Sequence, residues 1–151
     1  MSNQVCAPAL LIRKCSREDA KEITALMRQL RYPTTVSVME ERLAACENHP
    51  HFRNFVAELD GEVVGTVSLR QLQTHDMEQP VTRITALVVD ENHRGKGIGK
   101  RLIHEVESWG KRKGSQELFL STGDEERIDA KPFYERMGFE CSGYRLYKTL
   151  E

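Results

Sequence analysis

Two rhythms of apolar residues alternate along this chain, one of period two and one of helical period. Leu10 to Lys14 is a short strand candidate. Ser16-Arg17-Glu18-Asp19 has the form of a capping box, with Ser16 as N-cap and an acid three residues later. Ala20, Ile23, Met27 and Leu30 then recur at helical spacing and predict a helix to about Arg31. Tyr32-Pro33 stops it, because proline disfavours helix in the residue before it. Ser37 and Glu40 form a second capping-box candidate, opening a helix with the stripe Met39, Leu43 and Cys46 that ends near Asn48-His49-Pro50. Residues 52–59 and 62–69 alternate as strands around Asp60-Gly61, a two-residue turn in which both positions accept positive φ. Gly65 marks a bulge or a close packing contact.

Residues 71–79 are polar and read as a loop, with His75 and Asp76 near its tip. Residues 82–89 form the next strand, which runs through a glycine turn into a third helix with the stripe Ile98, Leu102, Ile103, Val106 and Trp109. Residues 118–121 are a short buried strand, and residues 122–127 a polar loop containing Asp124, Glu125 and Glu126. Asp129 caps a fourth helix that places Ala130, Phe133, Tyr134 and Met137 on one face and stops at Gly138. A final hairpin is expected from a segment at 139–141, a turn at Ser142-Gly143 and a strand over 144–149. This order predicts an α/β fold, a mixed sheet with helices on both faces.

The chain has 151 residues, which reads as one domain over 1–151. It is 39% hydrophobic and 30% charged, as a globular protein is. A net charge of −1 argues against a large nucleic-acid footprint, though residues 93–101 make a local basic patch. Cys6, Cys15, Cys46 and Cys141 show no metal-ligand spacing, so no metal is expected. Their scatter suits a reduced compartment. No signal segment and no membrane-length apolar run is seen, so the expected location is cytoplasmic, with no membrane partner.

The glycine turn carries the first chemistry. A strand that passes through glycines into a helix can hold a phosphate on free N–H groups and the positive end of the helix dipole. Arg94-Gly95-Lys96-Gly97-Ile98-Gly99-Lys100 is such a segment. It is not a P-loop, since Arg101 follows Lys100 where Ser or Thr is required, and its glycines do not fit the dinucleotide spacing. Gly95-Lys96-Gly97 alone would read as a solvated turn; its place between an apolar strand and an amphipathic helix makes the phosphate reading the stronger.

Arg94, Gly97 and Gly99 instead meet the pattern Arg/Gln-x-x-Gly-x-Gly/Ala. With LVVDENHRGKGIGKRLI around it and AKPFYERMGF after it, the chain resembles the GNAT superfamily of N-acetyltransferases over nearly its whole length. The stretch from Leu120 to Leu150 is most similar to the branch containing aminoalkylphosphonate N-acetyltransferases. The resemblance implies a three-layer sandwich around a central, mostly antiparallel sheet, and acetyl-coenzyme A as acetyl donor. It implies that the amides from Arg94 to Lys100 cradle the pyrophosphate and that Leu87, Val88 and Val89 pair with the pantetheine arm, in a gap where the fourth and fifth strands part. It assigns Tyr134 as the acid that protonates the departing sulfur, a role that suits a group of pKa about 10. A backbone N–H near Val88 or Val89 would hold the oxyanion.

Two positions depart from the family pattern. Thr85 and Ala86 stand where many relatives carry a glutamate base, leaving water, Glu58, the His75/Asp76 loop or an already neutral amine. Arg127 stands where an asparagine often contacts the pantetheine. The implied function is acetyl transfer to a primary amine of a small molecule, by direct attack in a ternary complex. Acetylation of protein lysines or N-termini, and a coenzyme A sensor without turnover, are the alternatives. Many relatives are dimers, so the implied assembly is a homodimer.

Overall fold

The computed structural model describes residues 9–122 and 130–150. Strand β1 (Leu10–Lys14) leads through a short 3-10 turn to helix α1 (Ala20–Gln29) and helix α2 (Val36–Cys46). Strands β2 (Phe52–Leu59), β3 (Glu62–Leu72) and β4 (Val81–Val89) follow, then helix α3 (Ile98–Arg112), strand β5 (Leu118–Phe119) and helix α4 (Ala130–Arg136). The sheet order is β1-β2-β3-β4-β5. The first four strands are antiparallel neighbours, and β5 runs parallel to β4.

Each face of the sheet is covered by the helices its apolar stripes require. Leu102, Ile103, Val106 and Trp109 of α3 pack on Ala57, Val64, Val67, Leu69 and Ile84, with Phe133, Tyr134 and Met137 joining at the rim. Ala20, Ile23, Met39 and Leu43 of α1 and α2 pack on Val56 of the opposite face. Asp60 (φ 51) and Gly61 (φ 84) make the β2–β3 turn as expected. Gly65 is a close-approach glycine: a Cβ there would stand 3.3 Å from Ile98, Leu102 and the Val88 carbonyl.

Three local expectations change. The helix expected to reach Arg31 ends at Gln29, and Arg31 takes the left-handed conformation at φ 63. The cap of α2 is Thr35, whose hydroxyl accepts from Val38 N–H at 3.2 Å, so Ser37 lies inside the helix. The final hairpin is absent. The chain bends at Gly143 (φ 74), but residues 144–149 form no strand. β5 is only two residues long, so the tail finds no ladder among the described residues, and an unsupported hairpin is marginal in water. Tyr144, Leu146, Tyr147 and Leu150 are 83–97% exposed. Asp124, Glu125, Glu126, Arg127 and Asp129 lie outside the described residues.

Candidate active site

The site begins where β4 loses its neighbour. Among the described residues β4 and β5 pair at Thr82–Leu118 and Arg83–Phe119 and no further. β4 continues to Val89 with no described strand beside that edge, and alternate backbone groups there can pair with a ligand. The opposite edge of β4 stays paired to β3 as far as Val89, across a bulge. Ser68 opposes Ala86 and Leu69 opposes Ile84, so Thr85 is the extra residue. The bulge falls where β5 leaves off. It bends the strand and shifts the side-chain alternation, so that Ile84 and Leu87 both face α3.

At its far end β4 turns through Glu91–His93 into the glycine segment. Arg94 is extended, and its Nε donates to the Val89 carbonyl at 3.3 Å. Gly95 (φ 79) and Gly97 (φ 80) take left-handed backbone, and a Cβ on either would meet nothing within 4 Å. Gly97 is the N-cap of α3, and its carbonyl accepts from Arg101 N–H at 3.1 Å. That leaves the N–H groups of Ile98, Gly99 and Lys100 without intrahelical partners. Open space over two left-handed glycines, free N–H groups and four exposed cations (Arg94, Lys96, Lys100 and Arg101) fit a polyphosphate.

The C-terminal motif packs onto this cradle. Phe133 of α4 lies against Gly99 of α3. Tyr134 sits between Phe133 and Phe139, with ring centroids 5.2 and 5.6 Å away in edge-on geometry. Burial pushes its hydroxyl above the ordinary tyrosine value, so the group holds its proton at neutral pH.

With this geometry in view, residues 20–139 match the family described as "Acetyltransferase (GNAT) family". The chain belongs to the GNAT acetyltransferase family. By that membership it is an acyltransferase whose donor is acetyl-coenzyme A. An aminoalkylphosphonate N-acetyltransferase of Salmonella typhimurium is 31% identical over 95% of this chain and 93% of its own length. Human N-acetyltransferase 8B is 30% identical over 62% of this chain, a stretch that spans only 40% of the human protein. Among solved structures, an aminoglycoside N-acetyltransferase in complex with CoA superposes with a TM-score of 0.85, at 20% identity and 97% coverage of both chains.

Within this GNAT fold the candidate bases are dispersed. Glu58 lies on β2, two strands from β4, and is ion-paired to Arg13 at 3.4 Å. His75 and Asp76 sit in the β3–β4 loop, at the end of β4 remote from the glycines, where Asp76 accepts from Thr74. Thr85, the bulge residue, is exposed.

Sequence reasoning missed two features of the site. The first is a polar clasp between α1 and the cradle. Gln29 Nε2 donates to Asp90 Oδ1 at 2.9 Å, Gln29 Oε1 accepts from Glu91 N–H at 3.0 Å, and His93 Nδ1 lies 2.7 Å from Asp90 Oδ2. These bonds, with Gln29 the larger cause and His93 second, hold the Asp90 carboxyl below the ordinary value. Asp90-x-x-His93 spacing was a usable signal; Gln29 offered none. The second feature is a pair of arginines, Arg70 and Arg83, opposite one another on β3 and β4.

Proposed function

We propose that this GNAT chain moves the acetyl group of acetyl-coenzyme A to a primary amine of a small molecule, by direct attack in a ternary complex. The observation that carries the reading is the continuity of one open edge. β4 loses β5 at Arg83, runs on to Val89, and delivers its edge into the glycine cradle. The donor's anionic end belongs on the amides of Arg94, Gly95, Lys96, Gly97, Ile98, Gly99 and Lys100. Its amide-bearing arm belongs along Leu87, Val88 and Val89, where a backbone N–H also faces the developing oxyanion. Placing both reactants on this edge can supply ~7–11 kcal/mol of the barrier in favourable cases. Tyr134 then gives its proton to the departing sulfur. Thr85 and Ala86 offer no base, so the amine proton leaves through solvent or the amine arrives neutral.

A small acceptor agrees with the relatives, named as acetylating aminoalkylphosphonates and aminoglycosides. We also read residues 1–151 as a single domain, since helices from both ends of the described chain share one sheet. No described helix is long and apolar enough to cross a membrane. The free Cys15, Cys46 and Cys141 support a cytoplasmic location. A homodimer is supported by the tail, whose four large apolar side chains are left in water.

Thiol release from acetyl-coenzyme A across a panel of small amines, polyamines, aminoglycosides and peptides tests the function. Release with a small amine, and none with peptides, is expected. Tight coenzyme A binding with no release anywhere would make the chain a sensor instead.

A further inference from the structure

Asp90 stands at the N-cap position of the 3-10 turn Glu91–His93, but the N–H of Glu91 is met from outside the turn. Its partner is Gln29 Oε1, on the last residue of α1, at 3.0 Å. Gln29 Nε2 donates at the same time to Asp90 Oδ1 at 2.9 Å. One amide side chain thus grips two consecutive residues of the turn with both of its polar atoms. The second Asp90 oxygen lies 2.7 Å from His93 Nδ1, and His93 N–H donates to the Asp90 carbonyl at 2.8 Å. The linkage runs from α1 through Gln29, Asp90 and His93 to Arg94, where the glycine segment begins. Its root is tied down. The N–H groups of Leu30 and Tyr32 both donate to the Met27 carbonyl, at 3.0 and 3.1 Å, and Arg28 Nη2 donates to the Thr34 carbonyl at 3.1 Å.

The charge at Asp90 has the wrong sign for a contact with phosphate. The Gln29 hydrogen bond first, and His93 second, hold its carboxyl below the ordinary value, so it is an anion four residues before Arg94. An anion near a polyphosphate opposes binding. What the carboxylate offers there is geometry. The cradle needs that help: Gly95 and Gly97 shape the segment, but glycine gives a backbone the most freedom to lose. A binding site gains affinity when its first contacts are held in place by a second layer of bonds. Resting on the phosphate cradle assigned above, we propose that Gln29 is a positioning residue for donor binding, its amide bracing the Asp90–Glu91 turn so that Arg94 to Lys100 present their N–H groups in one fixed arrangement. Gln29 acts through Asp90 and Glu91, and α1 becomes part of the donor site without lining it.

The test measures coenzyme A binding to the full chain by calorimetry, with thermal unfolding of each free variant. Gln29→Met keeps the length of the side chain and removes both bonds. Its Kd for coenzyme A should rise by about 10-fold, the scale of one or two hydrogen bonds. Gln29→Glu can still accept from Glu91 N–H but sets a carboxylate against Asp90, and should weaken binding at least as much. Adding Asp90→Asn to Gln29→Glu reverses donor and acceptor within the same hydrogen bond and restores the wild-type net charge. Binding should return to within about 3-fold of wild type, and Asp90→Asn should improve the Gln29→Glu chain by much more than it improves wild type. Equal improvement in both backgrounds would mean that charge alone sets affinity, and would overturn the proposal. A lower thermal midpoint with a wild-type Kd in Gln29→Met would also overturn it, reducing the clasp to a tie that holds the fold. Gly97→Val, run beside them, separates the two readings. Normal binding by that variant removes the cradle and the proposal with it, whereas binding lost there and kept in Gln29→Met removes the proposal alone.

Discussion

The ring of Phe133 lies so close over Gly99 that a β-carbon there would stand 3.1 Å from Cζ and 3.4 Å from Cε2. This contact joins the first turn of α3, which borders the cradle, to α4, which carries Tyr134. A β-carbon at position 99 asks the Phe133 ring to give by a few tenths of an ångström, and a branched side chain asks for more. Gly99→Val is expected to cost about 1–3 kcal/mol through overpacking. It should lower kcat more than it weakens coenzyme A binding, because Tyr134 moves while most of the cradle stays. Thermal unfolding together with steady-state rates checks this; a variant with unchanged kcat would uncouple α4 from the chemistry.

Gly97 poses the opposite problem. Its surroundings are open, but its backbone is left-handed at φ 80. A valine there carries about 1–2 kcal/mol of backbone strain and projects into the space assigned to the pyrophosphate. Gly97→Val should remain folded and lose acetyl-coenzyme A binding by calorimetry. Binding at the wild-type Kd would remove the cradle from the mechanism.

Tyr134→Phe keeps the ring between Phe133 and Phe139 and deletes only the hydroxyl. Loss of a general acid lowers kcat by about 100-fold or more, with the Kd for coenzyme A unchanged. Because burial raises the hydroxyl's pKa, the alkaline fall in kcat caused by Tyr134 lies above the ordinary tyrosine value. That limb should vanish in the variant. A rate equal to wild type would rule Tyr134 out as the acid.

Asp19 makes a pH prediction about stability. Its buried carboxylate accepts from Arg13 Nη1 and Nη2 at 2.9 and 2.8 Å and from Ser16 N–H at 2.8 Å. The Arg13 hydrogen bond, the largest cause, holds the Asp19 carboxyl below its ordinary value. The folded value is thus lower than the unfolded one, about 3.9. The stabilisation is complete above the unfolded value and fades as pH falls through the folded one. Asp19→Asn should cost about 1–3 kcal/mol at neutral pH, discounted because Arg13 is partly exposed. Denaturant unfolding should show wild type losing this margin below about pH 4, with the variant's curve flatter there.

The tail supplies a test of assembly. A chain ending at Ser142 lacks Tyr144, Leu146, Tyr147 and Leu150, which bury almost nothing within their own chain. It should keep the thermal midpoint of the isolated subunit and fail to dimerise in light scattering. A wild-type chain that stays monomeric at micromolar concentration would set the homodimer aside.

What the sequence could show depended on the range of the interaction. The stripe through Ile98, Leu102, Val106 and Trp109 and the turn at Asp60-Gly61 are local, and both were legible. The glycines at 95 and 97 marked the turn into α3, and both take a left-handed conformation that few other residues adopt. The cap of α2 was misplaced by two residues because Thr35 and Ser37 are both good caps and only the first helical hydrogen bonds choose between them. The alternating tail at 144–149 looked like a strand, yet a strand needs a partner, and its own sheet offers none. The Arg70–Arg83 pairing and the Gln29–Asp90 clasp join residues far apart in sequence, which no local pattern could reveal.

The extra residue at Thr85 has a consequence for how this protein can change. Upstream of it, β4 is paired to β3 and β5 through Arg83; downstream, its open edge from Leu87 to Val89 is the one proposed for the donor. One inserted residue therefore divides a single strand into a closed half and an open half. Deleting Thr85 would rotate the first half of the strand by one face and turn Arg83 against α3.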